Sequence, residues 1–416
     1  TYTYNGANPV SISVSGNYGA MTSIIFSQGN AEATITAAAG TATSTFITFN
    51  VAGGSLSISS GVSATFFGVG LNSGSSQHPC LVVSLARDID GLTATLSVLG
   101  TLSVTNAISF SSIATPTIGS NAIISSPGGV SLTFTNALTT TNFQAGGVVS
   151  SSGSSVTITT VGGTIAGNLI SSNGQLQVLG TLTSDLTITG TLSETSIFGI
   201  TINLSGAHNV FVSGALSSSG GGPIGIMGPN APSIVVGGTL SSSGQVQLAG
   251  NSATTTVTLS ANTTAKQLTL SSSANSATIT LSGPVALTGG LQLSASGTGG
   301  SIVVSSVVTG ATTVSFLSSG SVSITASGSI SFTGAQTVST AGINIAGKLL
   351  GSTTTSTATV TLNPTGALTI SGTVTGYSTT LNPTGALTIS GTVTGYSTTL
   401  NPTGALTISG TVTSGT

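Results

Sequence analysis

The chain has no tryptophan, one cysteine, two methionines, two histidines and, in 416 residues, only 3 Lys plus Arg and 5 Asp plus Glu. Each shortage excludes something. A lone Cys80 can build neither an internal disulfide framework nor a cysteine-based zinc site. Arg87, Lys266 and Lys348 are far apart in a chain of net charge −2. DNA binding by counterion release needs several cations on one surface, so nucleic acid is excluded as a partner. No apolar stretch approaches the ~18–20 residues of a membrane-spanning helix. Acid–base, nucleophilic and metal mechanisms all need titratable groups placed together. With 2% of residues charged, neither an enzyme nor a bound cofactor is expected.

Ser, Thr and Gly occupy the space that charge would normally fill. Gly loses the most backbone entropy on ordering, and Ser and Thr offer competing side-chain hydrogen bonds to the backbone, so helix is disfavoured. Thr, Val and Ile suit a pleated, half-buried surface. A disordered, mucin-like stalk would share the Ser/Thr/Gly background, but 38% of residues are hydrophobic and they alternate. Near-zero charge removes the repulsion that keeps chains apart, which favours self-association. The opening Thr-Tyr-Thr-Tyr, without Met or a basic-then-apolar leader, reads as a mature, processed product or a fragment.

Periodicity decides the architecture. The segment from Leu362 to Thr380 recurs from Leu381 to Thr399, and a truncated third copy starts at Leu400. Pro364, Pro383 and Pro402 are in register, as are Tyr377 and Tyr396. Within a copy Leu368, Ile370, Gly372 and Val374 share one parity, a strand pattern of period two. Asn-Pro and Gly mark corners, since Pro cannot donate to a ladder and Gly tolerates positive φ. Three short strands with tight corners consume about 18–20 residues per solenoid rung.

Upstream the letters degenerate but a beat persists. Apolar pairs recur evenly at Val246/Leu248, Val257/Leu259, Leu268/Leu270 and Ile279/Leu281, then slip to Leu291/Leu293 and Val314/Phe316. Gly-Thr-Leu at Gly100, Gly180, Gly190 and Gly238, with Gly-Ala-Leu at Gly214, is expected to open strands after a corner. Residues 1–95 hold three of the five Tyr, the only Cys and four of the eight charged residues, without a clear beat. The expectation is an all-β chain: an N-terminal β-rich head or cap over 1–95, a degenerate parallel β-solenoid (β-helix) over 96–361, and strict repeats continuing it over 362–416.

The candidate sites are few. His78-Pro-Cys80 followed by Arg87-Asp88-Ile-Asp90 is the only polar cluster. Asp88 and Asp90 are candidates for Ca²⁺ without the Gly and Glu of an EF-hand loop, and an Arg87–Asp salt bridge is the plainer alternative. His208, in Gly-Ala-His-Asn, reads as a turn residue. Asp185 and Glu194 are the only nearby carboxylate pair, and half a rung apart they fall on different faces, unlike a glycosidase pair. Asn203 and Asn262 head glycosylation sequons. Val10, Ile12 and Val14, alternating in Val-Ser-Ile-Ser-Val, are candidates for a strand donated to another subunit.

The Gly-Thr-Leu and Leu-Thr-Ile-Ser-Gly-Thr-Val rhythm on a Ser/Thr/Gly background resembles bacterial extracellular β-strand-repeat proteins, the autotransporter passengers and filamentous-haemagglutinin-like adhesins. The resemblance covers roughly 95–416. It implies a bacterial cell-surface or secreted protein, with adhesion to host or matrix glycans as one role. Neither a C-terminal membrane barrel nor an Asn-rich secretion motif accompanies it. Two functions follow: a non-enzymatic structural subunit of a self-assembling filament, sheath or matrix, whose partner is itself, or an adhesin whose solenoid displays the 1–95 head.

Overall fold

The structure is a computed structural model. It describes residues 107–415 apart from 252 and, before them, the backbone of strand segments between residues 2 and 104. Side chains before 116 are described only at Leu96, Val98, Leu99, Leu102, 107–110 and Ile113. Among the described residues there is no helix. The chain forms two compact units, residues 1–204 with 213–222, and residues 205–212 with 223–416. The described strands of each pair in parallel as a β-solenoid.

In the first unit Val10–Ser15 pairs with Glu32–Ala39, that strand with Gly53–Ile58, and Gly53–Ile58 with Ala94–Val98, all parallel. Further along, three faces are distinct. Val130–Phe134, Val156–Thr159 and Leu176–Thr181 stack as the first face. Gly163–Ile165 and Leu186–Ile188 form the second. Val148–Ser151, Asn168–Ser171, Leu192–Glu194 and Leu216–Ser218 form the third.

The second unit repeats the plan. Gln245–Gly250, Gln267–Ser272, Leu291–Ala295 and Val314–Ser318 make its first face. Thr256–Leu259, Thr278–Leu281 and Ser301–Val304 make its second, and Thr263–Ala265, Val285–Leu287 and Val307–Ala311 its third. Alternation turns one parity inward. Val246, Leu268, Leu291 and Val314 form a dry column, as do Val257, Ile279 and Ile302. At about 1.5–3 kcal/mol for a fully buried aliphatic side chain, these columns are the main source of stability.

The beat from Val246 to Val257 is half a rung. Val246 pairs with Leu268 on the first face and Val257 with Ile279 on the second, so successive beats fall on alternate faces and two beats complete one rung. The third-face strand Thr263–Ala265 turns Thr263 and Ala265 inward, which hides it from a hydrophobic count. A uniform rung of about 20 residues is therefore corrected. Rungs are short in the strict repeats, where Leu368 pairs with Leu387, and longer where Ile343 pairs with Leu368.

Corners explain the small residues. A Cβ on Gly190 would lie 1.8 Å from the Gly167 carbonyl oxygen, and one on Gly214 1.9 Å from that of Gly190. Rungs approach too closely there for any side chain. Four of the five Gly-Thr-Leu-type triplets open strands, Thr101–Val104, Leu192–Glu194, Leu216–Ser218 and Leu240–Ser242. Gly180 instead lies inside Leu176–Thr181, at φ +145°.

Candidate functional site: the repeat stack

Within the strict repeats each residue rests on its own counterpart one copy away. Leu368–Ile370, Leu387–Ile389 and Leu406–Ile408 stack as the second face, Leu on Leu, Thr on Thr, Ile on Ile. Thr373–Leu381 and Thr392–Leu400 are single long strands that serve the third and first faces together. They pair from Thr373 with Thr392 to Leu381 with Leu400, and Thr411–Ser414 pairs with the start of the second. The surface that one rung offers is thus matched by an identical rung.

Corner bonds repeat with the letters. The Thr384 amide donates to the Pro364 carbonyl at 3.1 Å and the Thr403 amide to that of Pro383 at 3.1 Å. The Thr384 hydroxyl donates to the Thr365 carbonyl and the Thr403 hydroxyl to that of Thr384. Tyr377 and Tyr396 stack with ring centroids 5.0 Å apart and planes 10° from parallel, close to the ~4.8 Å spacing of neighbouring strands.

Burial shows what a covering rung does. Leu387 and Ile389 are 0% exposed, whereas Leu406 and Ile408, at the same positions of the third copy, are 48% and 45% exposed. From Leu349 onward the sequence holds no charged residue. The repeat stack therefore carries uncharged side chains alone, with no ionic term for salt to screen.

Of the sequence-derived candidates, Val10–Ser15 is a strand with Val10 opposite Ala33, Ile12 opposite Ile35 and Val14 opposite Ala37. The side chains of Val10, Ile12 and Val14 lie outside the described residues, as do His78, Cys80, Arg87, Asp88 and Asp90. Asn203, in Ile200–Ser205, and Asn262, before Thr263–Ala265, are both exposed. His208 sits in a bend between strands. Among the described residues no group of three or more His, Cys, Asp or Glu could hold a metal ion, and no helix is long and apolar enough to cross a membrane.

Asp185 is exposed just before the second-face strand Leu186–Ile188, while Glu194 ends the third-face strand Leu192–Glu194 pointing inward. They do not share a face. What the sequence did not disclose is that Glu194 is 0% exposed. It replaces a serine in a buried corner column, pairing in register with Ser171 and Ser218, and Ser171 in turn with Ser151. The Ser218 hydroxyl donates to Glu194 Oε2 at 2.9 Å, and the Ser196 amide donates to Oε1. Two donors meet a carboxylate whose burial would otherwise be costly. This is a corner cap. Only knowledge of its neighbours one rung away could have found it.

No family model, no curated protein and no solved structure matches the chain.

Proposed function

We propose that this protein is a non-enzymatic structural subunit of an extracellular filament, sheath or matrix, and that its partner is another copy of itself. One observation carries the reading: in the repeat stack a rung of given sequence packs in register on a rung of the same sequence. In parallel, head-to-tail addition the strand that reaches the repeat stack comes from another chain's first rungs, with alternating Val10, Ile12 and Val14 as the candidate. Parallel strand addition then extends the ladders, with backbone hydrogen bonds supplying affinity and the apolar columns register. A head-to-tail contact of this kind propagates into a fibre unless its rotation closes. Scarce charge leaves nothing to oppose approach.

The test is negative-stain imaging of the purified full chain at neutral pH across a concentration series, at low and high salt. Fibres or sheets that grow with concentration and persist in high salt are expected. Isolated particles at every concentration would contradict the reading. If those particles bound glycans saturably through residues 1–95, the adhesin role would replace it. Deleting residues 1–15 tests strand donation: a folded chain that no longer polymerises is expected, and unchanged fibres would refute that route.

A further inference from the structure

On each of two faces of the repeat stack the outward positions form an array two columns wide. On the third face Thr373, Thr392 and Thr411 make one column and Thr375, Thr394 and Thr413 the next. Around the Tyr377–Tyr396 corner, and so on a separate surface, the first face carries a third column of Thr359, Ser378 and Ser397 and a fourth of Thr361, Thr380 and Thr399. The hydroxyl row of that fourth column continues back through Thr337 to Ser315.

Strand geometry fixes the spacing. Rungs repeat about every 4.8 Å along the solenoid, and alternate residues of a strand about every 6.6 Å across it. Both repeats lie close to those of water oxygens on a prism face of hexagonal ice. Thr is β-branched and stiff at χ1, so its methyl and hydroxyl are held where the backbone puts them. The methyl excludes disordered water, and the hydroxyl both donates and accepts a hydrogen bond. No charged residue interrupts the array; Lys348, paired with Thr373, borders it. A preformed lattice of this kind binds without first being ordered.

We propose that this threonine array binds ice, the ligand being a layer of ordered water continuous with the crystal. The proposal is independent of self-assembly, since a single chain carries the whole array.

The experiment measures thermal hysteresis and ice-crystal shape with the full chain, against an inert protein at equal concentration. Three substitutions accompany it: Thr394→Lys within the array, Thr388→Lys on the second face outside it, and Thr413→Lys at the array's edge on the last rung. The full chain should shape ice and open a hysteresis gap that Thr388→Lys preserves and Thr394→Lys abolishes. If circular dichroism showed Thr394→Lys unfolded, Thr413→Lys would take its place, with the same loss expected. No gap in the full chain, or equal gaps in all folded variants, would overturn the proposal.

Discussion

Rungs between 245 and 318 and rungs between 362 and 415 build the same three faces from different material. The earlier rungs mix like pairs, such as Leu268 on Leu291 and Thr258 on Thr280, with unlike ones, Leu293 on Phe316 and Gln292 on Ser315, and their chain separations vary. The later ones stack like on like at a constant separation. In the earlier rungs the third and first faces are separate strands, Thr263–Ala265 and Gln267–Ser272, with Lys266 between them. In the later ones Gly376 or Gly395 carries one long strand around the same corner. The coil therefore requires alternation and small corners. It does not require a fixed rung length, because additional residues are accommodated between strands.

Deletion should break the comparison most sharply. Removing residues 381–399 takes out one whole copy and leaves every remaining pair in register. The shortened chain should keep its β-sheet circular dichroism per residue and a cooperative urea transition. Removing residues 256–266 takes out one beat, the second- and third-face strands of a single rung. Gln267–Ser272 would then follow Gln245–Gly250 across a linker too short for a parallel crossover. That variant should lose the cooperative transition in the same titration.

Glycine corners give the next effect. A Cβ at Gly391 would lie 2.0 Å from the Gly372 carbonyl oxygen, whereas one at Gly237 would first meet Ser260 Oγ at 3.5 Å. In urea unfolding Gly391→Val should cost about 3 kcal/mol, as overpacking against backbone does. Gly237→Val should stay within about 1 kcal/mol.

Core truncation sharpens the contrast between covered and open rungs. Leu387→Ala should cost about 3 kcal/mol through lost transfer energy and cavity. The same change at Leu406, half exposed, should cost about 1 kcal/mol. Denaturant midpoints measure both.

Buried hydroxyls supply the smallest effect, with opposite signs. The Ser318 hydroxyl donates to the Gly300 carbonyl at 2.5 Å and accepts the Gly320 amide at 3.3 Å. Ser318→Ala should destabilise by about 1 kcal/mol. In the strict repeats Thr379 Oγ1 is buried without a partner and pairs with Val360. Thr379→Val should stabilise by up to about 1 kcal/mol, since it removes an unsatisfied group.

The fold class was legible because β-solenoid geometry writes itself locally: alternation makes strands, and Gly and Asn-Pro make corners. The strict repeat disclosed its rung length directly, since Pro364, Pro383 and Pro402 recur once per turn. Degenerate rungs did not, because Thr263 and Ala265 occupy inward positions without looking apolar. Glu194 was equally opaque. Nothing in Leu-Ser-Glu-Thr-Ser distinguishes a solvated carboxylate from one held by Ser218 on the next rung. Through-space neighbours about a rung away leave no local mark.

Disulfide trapping tests the parallel stacking most directly. In a Cys80→Ser background, Thr258→Cys with Thr280→Cys joins two outward positions that pair across adjacent rungs. Their Cα separation of about 4.8 Å falls within the range a disulfide spans. Thr258→Cys with Thr269→Cys is one beat apart, on different faces. Rapid oxidation of the first pair and none of the second is predicted; cross-linking of the second pair, or of neither, would contradict a parallel rung of two beats.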